Sequence, residues 1–281
     1  MVEETGDLKK GTASVGVQRL YTGTAGRIEN SQVAVYLVYS TPVGHAAIDR
    51  TLYIPRSWTQ DPERCRAAGI PDNTGFATKP VLATEMIAQA LDAGVTAACV
   101  TADGVYGGDP LLSAELECRQ IGYVLAVSRK RPISTHAGVS TAGMLAHFLP
   151  AKAWQRLSAG DGAKGHRFYD WAQVEIDRPC ASTGDRSLLI RRSRRTGELT
   201  FSRGYSAGPV PLSTLVKVAG RRWTVEGAFQ SAKGLAGLDE RAAGPPGIAG
   251  PRWPCSRTPS SWSRPPSNGP PWPHHQGSSL R

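Results

Sequence analysis

The chain has 281 residues, of which 40% are hydrophobic and 20% charged, enough for one large domain or two small ones. Its 33 Lys+Arg against 23 Asp+Glu give a formal net charge of +10, which favours a polyanionic partner. The sequence shows no apolar run approaching the roughly 18 residues of a membrane span, and no secretory signal, so we expect no membrane association. Five widely spaced cysteines without a CxxC pair favour reduced thiols in the cytoplasm over disulfides or a zinc site.

The first half of the chain predicts strands followed by alternating helices and strands. Residues 32–39 are apolar on both faces and predict a buried strand, and alternation over 45–55 predicts its antiparallel partner. Helical periodicity predicts a helix over 80–93. The next predicted elements are a strand over 95–101, a helix to about residue 120 that Asp109 caps, and a strand over 123–127. This order is typical of a mixed α/β fold.

The second half predicts a β-rich stretch and one long helix. Residues 167–176, 186–192 and 198–205 alternate like antiparallel strands. A long helix is expected over 212–235, interrupted by Gly220. A β-rich segment therefore lies between an α/β core and its closing helix.

Residues 241–281 differ in composition from the rest of the chain. They hold 10 of the 21 prolines, five arginines and no acidic residue. So few aliphatic residues cannot offset the entropy of ordering, which predicts a disordered tail. A proline-rich ligand for an aromatic groove is the alternative, although repeated PxxP units are lacking. The tail carries half of the net charge, so the body is only mildly basic.

Three charged residues share one face of the last helix. At about 100° per residue, Arg222, Glu226 and Lys233 fall within roughly 40° of each other. A carboxylate between two cations suits a metal-bound phosphodiester, with the acid on the ion and the cations on phosphates. The alternative is a solvated face with an i,i+4 ion pair.

Other charged residues admit two interpretations each. Asp103 follows a predicted strand at its carboxyl end, where open α/β sheets place their sites, but acids are common in such loops. Glu3, Glu4 and Asp7 cluster near the N-terminus, which is typical of solvated surface. Short basic runs such as 191–195 are also typical of surface, and equally are simple phosphate contacts.

The spacing Arg222-x3-Glu226-x6-Lys233 resembles part of the Y-x2-R-x3-E-x6-K motif of DDE insertion-sequence transposases. Longer stretches resemble transposases of insertion-sequence family 701, and the likeness runs over residues 2–240. The stretches are EETGDLKKG, GVQRLYTGTAGRIENSQVAVYLVYS, YIPRSW, GFATKP, AKGHRFYDWA and RRWTVEGAFQSAKGLAGLDE.

The resemblance implies a ribonuclease H-like mixed sheet with helices, interrupted by a β-rich insertion before the last catalytic helix. The expected division has four parts. These are a first core part at 1–131 with its first strand clipped, an insertion at 132–208, a closing helix at 209–240 and a tail at 241–281.

The resemblance also implies the site and its partners. Glu3, Asp103 and Glu226 would be the catalytic acids that bind two Mg²⁺ ions, with Mn²⁺ able to substitute. One ion would activate water or a DNA 3′-hydroxyl and the other would stabilise the leaving oxygen. Arg222 and Lys233 would contact phosphates of double-stranded DNA at transposon ends and target. A homodimer in the DNA complex, in the cytoplasm at the nucleoid, is the corresponding expectation.

Three departures from the family pattern affect the functional prediction. Glu3 stands where the family has Asp, and Ala219 stands at the tyrosine of the motif. Only two residues precede Glu3, so we expect a truncated N-terminus. The likeness stops near Glu240, and residues 243–253 read one base out of step can encode a tryptophan-rich helix, which suggests a frameshift.

The expected function is metal-dependent DNA strand cleavage and strand transfer at insertion-sequence ends. The alternative is an inactive transposase remnant with at most weak DNA binding. A host nuclease of the same fold class is disfavoured by the insertion and by the RRWTVE block.

Overall fold

A computed structural model describes residues 1–11, 13–22, 26–162, 165–177 and 183–236, with only the backbone described for residues 22, 224 and 226–236. The predicted tail over 241–281 and its proposed frameshift lie outside these residues. None of the helices in the described part combines the length and apolar character that a membrane crossing requires.

Four strands form a first sheet in which every neighbouring pair is antiparallel. They are β1 (Val2–Leu8), β2 (Gln18–Thr22), β3 (Arg27–Thr41) and β4 (Gly44–Leu52). With 15 residues, β3 is long enough to pair with β1 along one edge and with β2 and β4 in succession along the other. The predicted strand over 32–39 and its antiparallel partner are confirmed.

Six strands form a second sheet in the order β5-β6-β12-β11-β10-β9, in which only β5 and β6 are parallel. They are β5 (Cys99–Ala102), β6 (Gly122–Val127), β9 (Gln155–Gly162), β10 (Gly165–Glu175), β11 (Asp185–Arg192) and β12 (Leu199–Ser206). A short hairpin, β7 (Pro132–Thr135) and β8 (Gly138–Thr141), stands apart. The segment 132–208 thus supplies four strands that continue the core sheet through the β12–β6 pair.

Helices fill the connections and cover the sheets. They are α1 (Arg56–Thr59), α2 (Pro62–Ala67), α3 (Lys79–Asp92), α4 (Gly104–Gly107), α5 (Pro110–Cys118), α6 (Ala142–His147) and α7 (Leu212–Ala236). The predicted cap of α5 is confirmed, because Asp109 Oδ1 accepts from Leu111 N at 2.8 Å. The mixed α/β prediction is therefore confirmed.

The main core lies between α3, α4, α5 and one side of the strands β1, β3, β5 and β6. Val2 and Leu37 from the first sheet meet Val100 and Leu125 from the second sheet there, and β1 lies beside β5. The long helix α7 covers the opposite side.

Helix α7 packs on both sheets. Its first turns place Leu215 and Val216 against Val124 and Leu189 of the second sheet. Further along, Val225 is 1% exposed and packs on Tyr36 and its neighbours in the first sheet.

The predicted interruption of the last helix at Gly220 is wrong, since α7 runs unbroken from Leu212 to Ala236. An ideal Cβ on Gly220 would lie 1.8 Å from the carbonyl oxygen of Ala159 in β9. The glycine is therefore a contact point at which the helix touches the strand backbone.

We expect Gly220→Ala to destabilise the protein by about 1–3 kcal/mol, the usual cost of overpacking a well-packed contact. Alanine favours an isolated helix over glycine by about 1 kcal/mol, so stabilisation would contradict the close contact. Urea denaturation measures the change. Lys217→Ala, at an exposed position of the same helix, is the control and should leave the midpoint nearly unchanged.

Candidate active site

Glu4 of β1 is held by two partners from different helices. Lys79 of α3 donates to Oε1 at 2.7 Å, and the Tyr106 hydroxyl of α4 donates to Oε2 at 3.2 Å. The side chains of Lys79 and Glu4 are only 18% and 22% exposed, so the pair is poorly screened by solvent. These contacts fix β1 against both helices and compensate the charge of Glu4.

Glu3 lies on the other face of β1. Successive side chains of a strand alternate between faces, and Glu3 stands directly opposite Tyr36 of β3. Tyr36 belongs to the cluster that Val225 of α7 covers. Glu3 is half-buried and thus lies on the face of the first sheet that α7 crosses.

Asp103 lies directly after β5, at the strand end where the sequence places it. Its Oδ1 caps α4 by accepting from Val105 N at 2.8 Å. The helix is pressed on β6, because a Cβ on Gly107 would lie 1.9 Å from the carbonyl oxygen of Ala126. A carboxylate has two oxygens, so capping through one is compatible with metal binding through the other.

Tyr106 of α4 is fully buried, and its hydroxyl group donates to Glu4. Burial is the largest cause of its strongly raised pKa, and the carboxylates of Glu4, Asp103 and Glu3 raise it further. The phenol therefore stays protonated and acts as a donor to Glu4. Three carboxylates that are up to 100 positions apart in sequence act on one hydroxyl group.

Helix α7 carries the remaining predicted residues. Arg222 is half-buried, and its charge adds to the burial that lowers the pKa of Arg191 in β11. The backbone of α7 is helical through Glu226 and Lys233, which preserves the predicted common face. The side chains of Glu226 and Lys233 lie outside the described residues, so their predicted roles stay predictions.

Carboxylate oxygens are the ligands that Mg²⁺ prefers, so Glu3, Asp103 and Glu226 fit the predicted ions by their chemistry. Among the side chains that the structure describes, no three His, Cys, Asp or Glu residues form a group able to hold a metal. Only two members of the predicted triad belong to that set, because the Glu226 side chain does not.

The sequence misses the residues that support this site. Lys79 and Tyr106 are 75 and 102 positions from Glu4. Lys79 lies in the GFATKP stretch of the family resemblance, but the sequence predicts no role for it, and Tyr106 lies outside the quoted stretches. Only the fold brings them together. A tyrosine three positions after a strand-end acid is a signal too common to have identified the contact.

The fold is a mixed α/β architecture that carries one of the predicted acids on β1 and another directly after β5. The model of the family described as DDE superfamily endonuclease matches residues 1–160, more than half of the chain, and the chain belongs to that family. The match includes Glu3 and Asp103 and ends before α7. A comparison with curated proteins found no match.

Proposed function

We propose that this chain is the catalytic domain of a DDE insertion-sequence transposase of family 701, which cleaves and joins DNA strands at transposon ends. One observation carries the proposal. The family match contains Glu3 on β1 and Asp103 directly after β5, the strand that lies beside β1, and Glu3 lies on the sheet face that α7 crosses. That helix carries Glu226 in the spacing of the transposase motif.

The order of elements supports a ribonuclease H-like core. An antiparallel group of strands comes first, followed by helix, strand, helix and parallel strand, with an acid on β1 and another after β5. Residues 1–131 and 209–240 would form this core, and 132–208 would be the insertion before the last acid.

Each residue then has a distinct task. Glu3, Asp103 and Glu226 would hold the two Mg²⁺ ions, which supply charge stabilisation for displacement at phosphorus. Arg222 and Lys233 would contact phosphates of double-stranded DNA. Lys79 and Tyr106 hold Glu4 and so fix the strand from which Glu3 projects.

An inactive remnant is the second candidate, and the identity of residue 3 favours it. Glutamate is one methylene longer than the aspartate of the family pattern, and Mg²⁺ requires near-ideal octahedral geometry. A longer ligand displaces the ion or leaves its coordination incomplete. Such a chain would keep the fold and any phosphate contacts while losing cleavage.

The test is cleavage of labelled transposon-end DNA by the purified chain with Mg²⁺ or Mn²⁺, and with EDTA as the control. Nicked or strand-transfer products that require metal support the catalytic proposal. Absence of products from the parent chain overturns it. If Glu3→Asp then produces cleavage, the longer side chain accounts for the loss and the remnant is the correct description.

A further inference from the structure

A pocket of about 340 Å³ lies between α7 and the second sheet, next to the candidate active site. Thr101 and Ala102, the last residues of β5, form one wall and directly precede Asp103. Within the described ranges no acidic residue lines the pocket, whereas three arginines do: Arg129, Arg191 and Arg222. A ligand held there would lie beside the predicted metal acids.

Three residues of the lining carry buried hydrogen-bonding groups that have no partner among the described residues. These groups are the Thr101 hydroxyl, the Trp171 indole N–H and the Arg191 Nε–H. Thr101 is 4% exposed and Trp171 is 3% exposed, so both side chains belong to the packed wall of the pocket. A buried donor without an acceptor costs about 1–3 kcal/mol, and such groups call for an explanation. Trp171 and Arg191 stand directly opposite each other in the β10–β11 pair, so these two groups can serve one ligand. Thr101 belongs to β5, three strands from β11, at the other end of the pocket.

The arginines around the pocket are organised by aromatic rings. Trp223 of α7 stacks on Tyr169 of β10, with centroids 5.8 Å apart. The guanidinium carbons of Arg167 and Arg191 lie 4.7 Å and 4.8 Å from the centroid of the Trp223 ring. Contact with the same ring holds two like charges close together.

The charge balance at Arg191 also favours an anion. Burial lowers the pKa of Arg191; Tyr169 and Glu198 oppose this shift, while the charges of Arg222 and Arg167 add to it. Glu198 is exposed and does not line the pocket. Two like charges therefore act on Arg191, and the acid that opposes them lies on the surface.

We propose that this pocket binds a phosphate group of a DNA strand and positions that strand against the carboxylates after β5. Arg191 is the principal cation, Trp171 is a donor beside it, and Trp223 is a stacking platform. The inference rests on the proposed function, because it takes the DNA substrate from it, but it concerns binding and needs no metal. Free inorganic phosphate presents the same oxygens and is the other source of the ligand.

Arg191→Gln tests the pocket, and Arg192→Gln is a matched control. Arg192 is the next residue of β11 but faces the other way, where it pairs with Asp170 at 3.2 Å and lies 4.1 Å from the Trp154 ring centroid. We expect Arg191→Gln to weaken binding of a fluorescent duplex in EDTA by about tenfold or more, as for a lost charge-assisted hydrogen bond. The salt slope should fall by about 0.9 per lost contact. Arg192→Gln should change the Kd less than twofold.

A second measurement separates the two sources of phosphate and detects misfolding. The melting temperature of each chain is compared in chloride and in inorganic phosphate at equal ionic strength. Weaker DNA binding by Arg191→Gln, with a chloride melting temperature like that of the parent, supports the proposal. A phosphate-dependent stabilisation lost in Arg191→Gln without a change in DNA affinity assigns the pocket to a free anion and overturns it. Equal DNA binding by both variants, or unfolding of Arg191→Gln in chloride, also overturns it.

Metal-free binding keeps this result independent of cleavage. If the chain binds DNA through Arg191 but never cleaves it, the proposal for the pocket stands and the catalytic proposal is overturned. If the Arg191→Gln variant cleaves DNA normally, the catalytic proposal stands and the proposal for the pocket is overturned.

Discussion

Asp103→Asn is expected to lower metal-dependent DNA cleavage by about a thousandfold while leaving the fold intact. A bound metal ion contributes several kcal/mol of charge stabilisation in the transition state, and each 1.36 kcal/mol is a factor of ten in rate. Asparagine keeps the size of the side chain but not its negative charge. It is also as good an N-cap as aspartate, so the hydrogen bond from Val105 N to residue 103 can persist.

Asp109→Asn provides the control for Asp103→Asn. Asp109 is also an aspartate at a helix N-cap, six positions further on, where it accepts from Leu111 N at 2.8 Å. It has no place in the proposed site, so its substitution should leave cleavage unchanged. Rates of labelled-strand cleavage in Mg²⁺ and circular dichroism spectra of both variants are the measurements. Equal activity of the two variants would remove Asp103 from the site.

Local sequence patterns predict the helices that are stabilised by interactions between residues close together in the chain. Asp109 with Pro110 predicts the start of α5, and the helical periodicity over 80–93 predicts α3, whose N-terminus Thr78 caps. Capping and periodicity depend on residues within one or two turns of each other, so one sequence is enough to predict them.

Tertiary contacts decide the elements that the sequence does not predict. β1 has the sequence VEETGDL, in which four of the five inner positions are polar, yet it pairs with β3 along its whole length. Its strand conformation comes from that partner rather than from propensity. A tertiary contact also explains Gly220, which local propensity would place at a helix end. The glycine lies inside α7 because the backbone of Ala159 in β9 leaves no room for a side chain there.

The alternation of side chains between the two faces of a strand separates neighbouring residues that look equivalent in the sequence. Arg191 and Arg192 belong to one basic run, but alternation sends the first to the pocket under α7 and the second to Asp170. Glu3 and Glu4 divide in the same way between the α7 face and the Lys79–Tyr106 pair. The family resemblance predicts Glu3 rather than Glu4, and the register of β1 on β3 gives that choice a physical basis.

A buried ion pair joins α5 to the second sheet, and the two proposed sites depend on that sheet. Arg186 of β11 donates through Nε to Glu117 Oε1 at 3.0 Å and also contacts Oε2. The Tyr123 hydroxyl of β6 donates to the same carboxylate at 2.6 Å. The side chains of Arg186 and Glu117 are 8% and 14% exposed, so neither charge can return to water without structural change.

Glu117→Ala is therefore expected to destabilise the protein by about 3–5 kcal/mol, the usual cost of removing one partner of a buried pair. Arg186 would keep its buried charge and lose its acceptor, while Tyr123 would lose a hydrogen bond. Urea denaturation at neutral pH gives the free energy of unfolding. Glu115→Ala in the same helix is the control, because its pair with Arg119 is more exposed, and it should move the midpoint little.

The pH dependence of this difference distinguishes an ion pair from simple packing. Burial alone would raise the pKa of Glu117, but the hydrogen bonds from Arg186 and Tyr123 outweigh it and hold the pKa below its ordinary value. A carboxyl group whose pKa is depressed in the folded state stabilises the protein at pH values above its unfolded-state pKa of about 4.3. This stabilisation is lost as the pH falls through the folded-state pKa. We expect the gap between parent and Glu117→Ala to be full at neutral pH and to shrink in acid. If the difference in free energy of unfolding stays constant as the pH is lowered, Glu117 contributes through packing, and its charge does not hold α5 to β11.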